Sequence, residues 1–247
     1  MAVIQPSRGN LEISIVFPAY NEAEWLEEAV EKTIAAVQDF VGSYEIIVAE
    51  DGSTDGTDEI ARRLFKSIPA VKHLHGEKRL GRGVALKNSF KTADGEVLVY
   101  MDVDLATDLK HLRPLFEAIA REGYDVAIGS RLLPESKVER SLRRELTSKS
   151  YNFWVRVILG SKLRDHQCGF KAFRRKSVLP LLEEINATHW FWDTEILVRA
   201  QRKNLKVKEM PVQWKSGRKT KVNLMKDSFN MGKQVLQLWW QLRSEKN

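Results

Sequence analysis

"GEVLVYMDVDLATD", residues 95–108, is an apolar run that ends in three carboxylates, Asp102, Asp104 and Asp108. The run reads as a buried strand, because it is short, continuous and rich in β-branched residues. Residues i and i+2 of a strand point to one side, so a D-x-D at its tip presents two carboxylates to one point. A hard divalent cation carrying a pyrophosphate on its far side would relieve their repulsion. The alternative is a turn in which aspartates satisfy backbone N–H groups.

Similar runs occur on either side. "LEISIVFPAYNE" (11–22), "YEIIVAEDGSTDGT" (44–57), "AVKHLH" (70–75) and "YDVAIGSR" (124–131) each read as a strand entering a polar turn. The first is expected to end near Phe17, and Thr54 or Asp55 to cap the helix after the second. Helical spacing fills the gaps: 22–40, 56–66, 81–93 and 108–123. Strands alternating with helices over 11–131 predict an α/β fold with a mainly parallel sheet covered on both faces. Ligands of such sheets bind beyond the carboxyl ends of the strands. Pro18–Glu22, Glu50–Ser53, Asp102–Asp104 and Gly129–Arg131 all fall there.

The later half is less regular. A helix is expected over 141–160, with Leu142, Leu146, Phe153 and Val157 on one stripe, and another over 191–204. A strand at 205–214 and a last helix over 223–243 follow. That last helix sets Met225, Phe229, Val235, Leu236, Trp239 and Leu242 on one apolar stripe, flanked by Lys226, Lys233 and Arg243. Aromatic and basic residues around such a stripe suit a membrane interface, while tertiary packing is the usual fate of an amphipathic face.

Composition sets the frame. The chain has 247 residues, 43% hydrophobic and 30% charged, with a net charge of +7 and one cysteine, Cys168. One cysteine forbids an internal disulfide and fits a reducing compartment. No run approaches the roughly 18 apolar residues that cross a bilayer, and the first residues lack a signal-peptide core. The expected address is cytoplasmic. The positive charge fits an anionic partner or a solvated surface. His166 and Cys168 lack partners at zinc-ligand spacing and the other histidines are scattered, so no zinc site is expected. "GRGVALK" (81–87) lacks Walker spacing, and its glycines are expected to pack beside a nucleotide. Trp190 and Trp192 are expected to pack rather than to stack on a ligand.

Together "VFPAYNE", "EDGSTDGT", "DVDLATD", "GSR", "DHQCGFKAFRR", "FWDTEI" and "TKVN" resemble the inverting family 2 glycosyltransferases of GT-A fold. The likeness runs from about Ile13 to Met231. Within that family it looks most like the polyprenyl-phosphate hexosyltransferases, on the glucosyl rather than the mannosyl side. It implies a single GT-A domain over 1–247: a nucleotide-sugar half at 11–131, an acceptor half at 132–223 and a C-terminal amphipathic helix at 224–247. It implies Pro18, Tyr20, Glu22 and Asp51 around base and ribose, and Asp102 and Asp104 on Mg²⁺ or Mn²⁺. Arg131 and Arg144 would grip an acceptor phosphate, Lys221 would close over the donor, and Asp193 would catalyse or orient.

Three departures stand out. Glu50 replaces the usual aspartate. Ala106 stands where mannose synthases carry a glutamine, leaving water, Thr107 or Asp108 as the third metal ligand. Many relatives also carry transmembrane helices. The implied reaction moves a hexose, glucose foremost, from a nucleotide sugar (UDP-glucose or GDP-mannose) to dolichyl or polyprenyl phosphate, at a membrane surface and without nucleic acid. Mannosyl transfer, a soluble or polymeric sugar acceptor that needs Asp193 as base, and a non-enzymatic nucleotide or nucleic-acid binder are the alternatives.

Overall fold

The computed structural model describes residues 11–215 and 224–245, and side chains within the last helix from Asn230 onward. The first part of the chain forms β1 (Leu11–Ala19), α1 (Leu26–Gln38), β2 (Tyr44–Asp51), α2 (Thr57–Ser67) and β3 (Val71–Gly76). It continues through α3 (Arg82–Thr92), β4 (Gly95–Met101), α4 (Leu112–Ala120) and β5 (Val126–Ser130). Then come β6 (Lys137–Glu139), α5 (Leu142–Leu159), β7 (Phe170–Arg174), α6 (Arg175–Leu182) and α7 (Trp192–Arg202). The described part closes with β8 (Val207–Pro211), β9 (Gln213–Lys215) and α8 (Leu224–Ser244).

Seven strands form one sheet in the order β3-β2-β1-β4-β7-β5-β8. All pairings are parallel except those of β7, which runs antiparallel between β4 and β5. The period-2 rule explains the two-sided core. Ile13, Ile15 and Phe17 of β1 face one buried cluster with Ile46, Val48, Val97 and Val99, under α1, α2 and α4. Val16, Ile47, Leu98 and Tyr100 face the other, with Phe173 and Trp192, under α3, α6 and α7. A third cluster joins Val155 and Leu159 of α5 to Val235, Leu238 and Leu242 of α8.

Several local expectations change. β1 continues through Pro18 to Ala19, because Pro18 lies in register with Ala49 as the strand runs on. Gly56, not Thr54 or Asp55, is the residue before α2, and Asp55 binds the helix from one position earlier by accepting from Thr57 N at 3.1 Å. The expected strand over 205–214 is two strands broken at Val212. The α8 stripe divides: Val235 and Leu242 are buried against α5, Leu236 is exposed, and Met225 and Phe229 lie outside the described side chains. The α5 stripe faces outward, with Leu142, Leu146, Phe153 and Val157 all exposed, while Asn152, Val155 and Leu159 turn inward. No helix among the described residues is long and apolar enough to cross a membrane.

Candidate active site

The acidic turn sits at the carboxyl end of β4. Because β4 stops at Met101, Asp102 and Asp104 share a side through a turn and not through the pleat of a strand. Leu105 N donates to Asp102 O at 3.1 Å, and Leu105 has φ 48°. A branched residue in that left-handed region costs on the order of 1–3 kcal/mol, which marks a turn held by its surroundings. Asp104 accepts from Ala106 N at 3.1 Å. Both aspartates line one small cavity with Thr107, Gly169 and Trp214. Asp108 turns away from it, capping a short 3-10 turn by accepting from Lys110 N at 3.0 Å.

Antiparallel β7 begins at the same edge and brings Gly169 beside Asp102, whose N–H donates to Gly169 O at 3.1 Å. A Cβ on Gly169 would overlap the Asp102 carboxylate. Only glycine lets the two chains approach this closely.

Arg82, the first residue of α3, reaches into the site. Its Nη1 lies 2.5 Å from Asp102 Oδ1 and its Nε 3.7 Å from Asp193 Oδ2. The contact with Asp102 is ionic and poorly aligned: Arg82 Nε and Asp102 Oδ1 are buried without a hydrogen-bond partner. Burial disfavours charge on Arg82, but Asp102 and Asp193 outweigh it and hold its pKa above the usual arginine value. The guanidinium also lies 5.0 Å from the Trp190 ring and 5.2 Å from Tyr100. The glycines around it pack against residues 187–192: a Cβ on Gly83 would meet Ala187 O at 2.7 Å.

Asp193, at the start of α7, is buried and pairs with fully buried Lys171. Lys171 Nζ also donates to Tyr100 Oη at 2.7 Å and to Cys168 O at 2.8 Å. Burial pushes the Asp193 carboxyl up to about 7 and the Lys171 ammonium down to about 7. Three acceptors around three N–H donors fit an ammonium, so the pair is charged and closed on itself. Trp192 is wholly buried, as expected, whereas Trp190 is partly exposed and faces Arg82.

On the other side, Asp51 accepts from Leu80 N at 2.8 Å and Gly81 N at 2.7 Å, so it anchors the segment before α3. Gly52, at φ 70°, lies under the same segment: a Cβ there would meet Arg79 N at 2.6 Å. Arg79 covers the Tyr20 ring at 3.8 Å. Pro18 lies one residue before the end of β1, and the turn after the strand is tied to the β2 turn by Asn21 N to Ser53 Oγ at 3.0 Å and Glu22 N to Thr57 Oγ1 at 2.8 Å.

Arg131 follows β5 and forks onto Asp165, with Nε to Oδ2 at 2.7 Å and Nη2 to Oδ1 at 2.9 Å. Burial opposes the Asp165 charge, yet Arg131 and the neighbouring N–H groups hold that carboxyl far below the usual range. Arg131 lies 5.7 Å from the Trp214 ring, which puts it beside the acidic cavity. Arg140 is near enough to Arg131 that, after burial, the like charge lowers its pKa, and its buried Nε has no hydrogen-bond partner. Arg144 lies half-buried on α5. Lys221 lies outside the described residues. Arg79, Arg82, Arg140 and Lys171 went unnoticed in the sequence, and each sits on a segment whose partner is distant in the chain.

A family description, Glycosyl transferase family 2, matches residues 14–181. Glycosyltransferase AglD of Haloferax volcanii is 48% identical over 234 residues, which cover 94% of this chain and 38% of that protein. The chain thus spans well under half the length of that relative. Dolichyl-phosphate beta-glucosyltransferase of Drosophila melanogaster is 31% identical over 244 residues, 93% of this chain and 75% of the relative. Glucosyl-3-phosphoglycerate synthase from Mycobacterium tuberculosis, solved with Mn²⁺, UDP and phosphoglyceric acid, aligns at TM-score 0.68 and 20% identity, covering 93% of this chain and 77% of that one. That likeness shows the shared GT-A fold. The chain belongs to glycosyl transferase family 2.

Proposed function

We propose that this chain moves glucose from UDP-glucose to dolichyl or another polyprenyl phosphate with inversion at the anomeric carbon. The division of labour follows the sequence: 11–131 for the donor, 132–223 for the acceptor, and a C-terminal stretch that carries the amphipathic helix α8 (Leu224–Ser244). The relatives named dolichyl-phosphate beta-glucosyltransferase support the glucosyl donor and the lipid acceptor over mannosyl transfer.

The observation that carries the reading is the Asp102–Arg82 contact. The Asp102 oxygen that Arg82 meets without an aligned hydrogen bond stands beside Asp104, and the two carboxylates form a hard-oxygen donor set that suits Mg²⁺ or Mn²⁺. When bound there, the ion supplies Lewis-acid neutralisation of the departing diphosphate. Arg82 places a second positive charge at the same point. Pro18, Tyr20, Glu22 and Asp51 bound the base and ribose side, and Arg79 covers the stacking face of Tyr20.

On the acceptor side, Arg131, Arg140 and Arg144 form the phosphate grip. Two arginines close enough to repel, one with an orphaned Nε, are relieved by an anion between them. A phosphate monoester has its second pKa near 6 and arrives largely dianionic at pH 7. Its oxygen attacks the anomeric carbon as the bond to the diphosphate oxygen breaks, and the electron pair leaves with UDP. No proton has to be removed. Asp193 fits that chemistry as a positioning residue, because its oxygens face Lys171 and Arg82. A sugar-hydroxyl acceptor would need a base at this place.

The exposed faces complete the picture. Leu142, Leu146, Phe153, Trp154 and Val157 of α5 are exposed beside basic Arg143, Lys149 and Arg156, as are Leu236 and Trp240 of α8 beside Arg243. These faces suit the cytoplasmic surface of a membrane that carries the acceptor.

The test is Asp193→Asn, assayed with a polyprenyl phosphate. Transfer should stay within an order of magnitude of the parent while UDP-glucose affinity holds. A fall of about 10²–10⁴, the usual cost of losing a general base, with donor affinity and folding intact would overturn the base-free reading.

A further inference from the structure

A second polar cluster lies at the far edge of the sheet. β3 is the edge strand, and its register sets His73 opposite Val48 and His75 opposite Glu50. Residues 73 and 75 point to one side of the strand. The first turn of α2 brings Asp58 to the same place. Ligand atoms of Glu50, Asp58, His73 and His75 all lie within 4.8 Å of one another. His75 Nδ1 is 2.7 Å from Glu50 Oε2 and 3.1 Å from Asp58 Oδ1, and His73 Nε2 is 3.4 Å from Asp58 Oδ1.

Each carboxylate is held by one oxygen and offers the other. Glu50 Oε1 accepts from Ser53 N, leaving Oε2 toward His75. Asp58 Oδ2 accepts from Arg62 Nη2 at 2.6 Å, leaving Oδ1 toward both imidazoles. Outer partners that orient ligands in this way are what metal sites require. His75 Nδ1 meets Glu50 Oε2 in a hydrogen bond, but Asp58 Oδ1 and His73 Nε2 are buried without one, and the His73 side chain is only 8% exposed. A buried imidazole nitrogen facing a buried carboxylate oxygen, neither making a hydrogen bond, fits a shared ligand between them. His75, 44% exposed, leaves a path to solvent.

We propose that Glu50, Asp58, His73 and His75 bind one divalent transition-metal ion, with zinc as the type. Two imidazoles and two carboxylates are a tetrahedral zinc donor set. The nitrogen ligands also distinguish this site from Asp102 and Asp104, whose hard oxygens favour Mg²⁺ or Mn²⁺. The ion would tie β3 and α2 to the end of β2, one residue before Asp51. Its role is to brace the turn at 52–57. The site stands on this geometry alone and does not depend on which sugar the protein transfers.

The test is zinc uptake by the full chain in excess Mg²⁺, which keeps Asp102 and Asp104 from being counted. The parent should retain one equivalent of zinc after dialysis, melt several degrees higher with it, and give the intense visible absorption of tetrahedral Co²⁺ when cobalt replaces it. His75→Gln, at a half-exposed position that leaves the fold intact, should lower zinc affinity at least tenfold and remove the cobalt band. Zinc retention below one equivalent in the parent, or equal retention by parent and His75→Gln, would overturn the site.

Discussion

Gly169 holds the acidic turn by having no side chain. Its lack of a Cβ lets Asp102 stand against β7, within reach of Arg82. Gly169→Ala should force the carboxylate to rotate, reduce metal-dependent donor binding at least tenfold, and cost about 1–3 kcal/mol of stability from overpacking. Calorimetric titration with UDP-glucose and Mn²⁺, alongside urea unfolding, checks both effects. Unchanged donor affinity would show that the Asp102 position is immaterial. The D-x-D was legible because its two carboxylates are adjacent in the chain. Arg82 was not, since nothing in "GRGVALK" says that α3 begins opposite β4. The proposed zinc site is faint in the sequence for a similar reason: its histidines show only as "HLH" on an edge strand, with its carboxylates on other elements.

Among the elements, the alternating strands and helices up to β5 were readable from their periods. β7 was not. "FKAFR" is five residues long and its apolar–polar alternation breaks at Ala172–Phe173, and its place between β4 and β5 is set by long-range pairing. That insertion is what brings Lys171 and Gly169 to the site. The α5 stripe was legible as a stripe, but a periodicity cannot say which side the core lies on. The structure turns Val155 and Leu159 inward and leaves Phe153 and Trp154 outside. Phe153→Glu with Trp154→Glu should therefore leave the melting temperature nearly unchanged and reduce flotation with anionic liposomes several-fold. Equal flotation of the parent and the double variant would remove α5 from the membrane contact.

At the scale of the whole molecule, buried charge makes stability depend on pH. Burial pushes the His166 imidazole down to about 4, with Asp165 offsetting only part of that effect. Below about pH 6.5 the unfolded chain takes up a proton that the folded one refuses, so stability falls from there to about pH 4, by roughly 3 kcal/mol. Asp165 acts lower. Its folded pKa is depressed, so its contribution is full above the unfolded value near 4 and is lost as the pH falls further. Urea unfolding between pH 7 and pH 4 should show this slope, and His166→Gln should flatten it. An equal slope in that variant would place the effect elsewhere.

The proposed activity needs a donor held at the acidic turn whose diphosphate is displaced by a lipid phosphate. The most direct measurement is transfer of labelled glucose from UDP-glucose to dolichyl phosphate, with Mg²⁺ or Mn²⁺, by the parent and by Asp104→Asn. The parent should form β-linked dolichyl-phosphate glucose, lose that activity to a chelator, and fall at least a hundredfold on Asp104→Asn, with no product from GDP-mannose. Transfer that survives both the chelator and the substitution, or no transfer to the lipid phosphate at all, would contradict it.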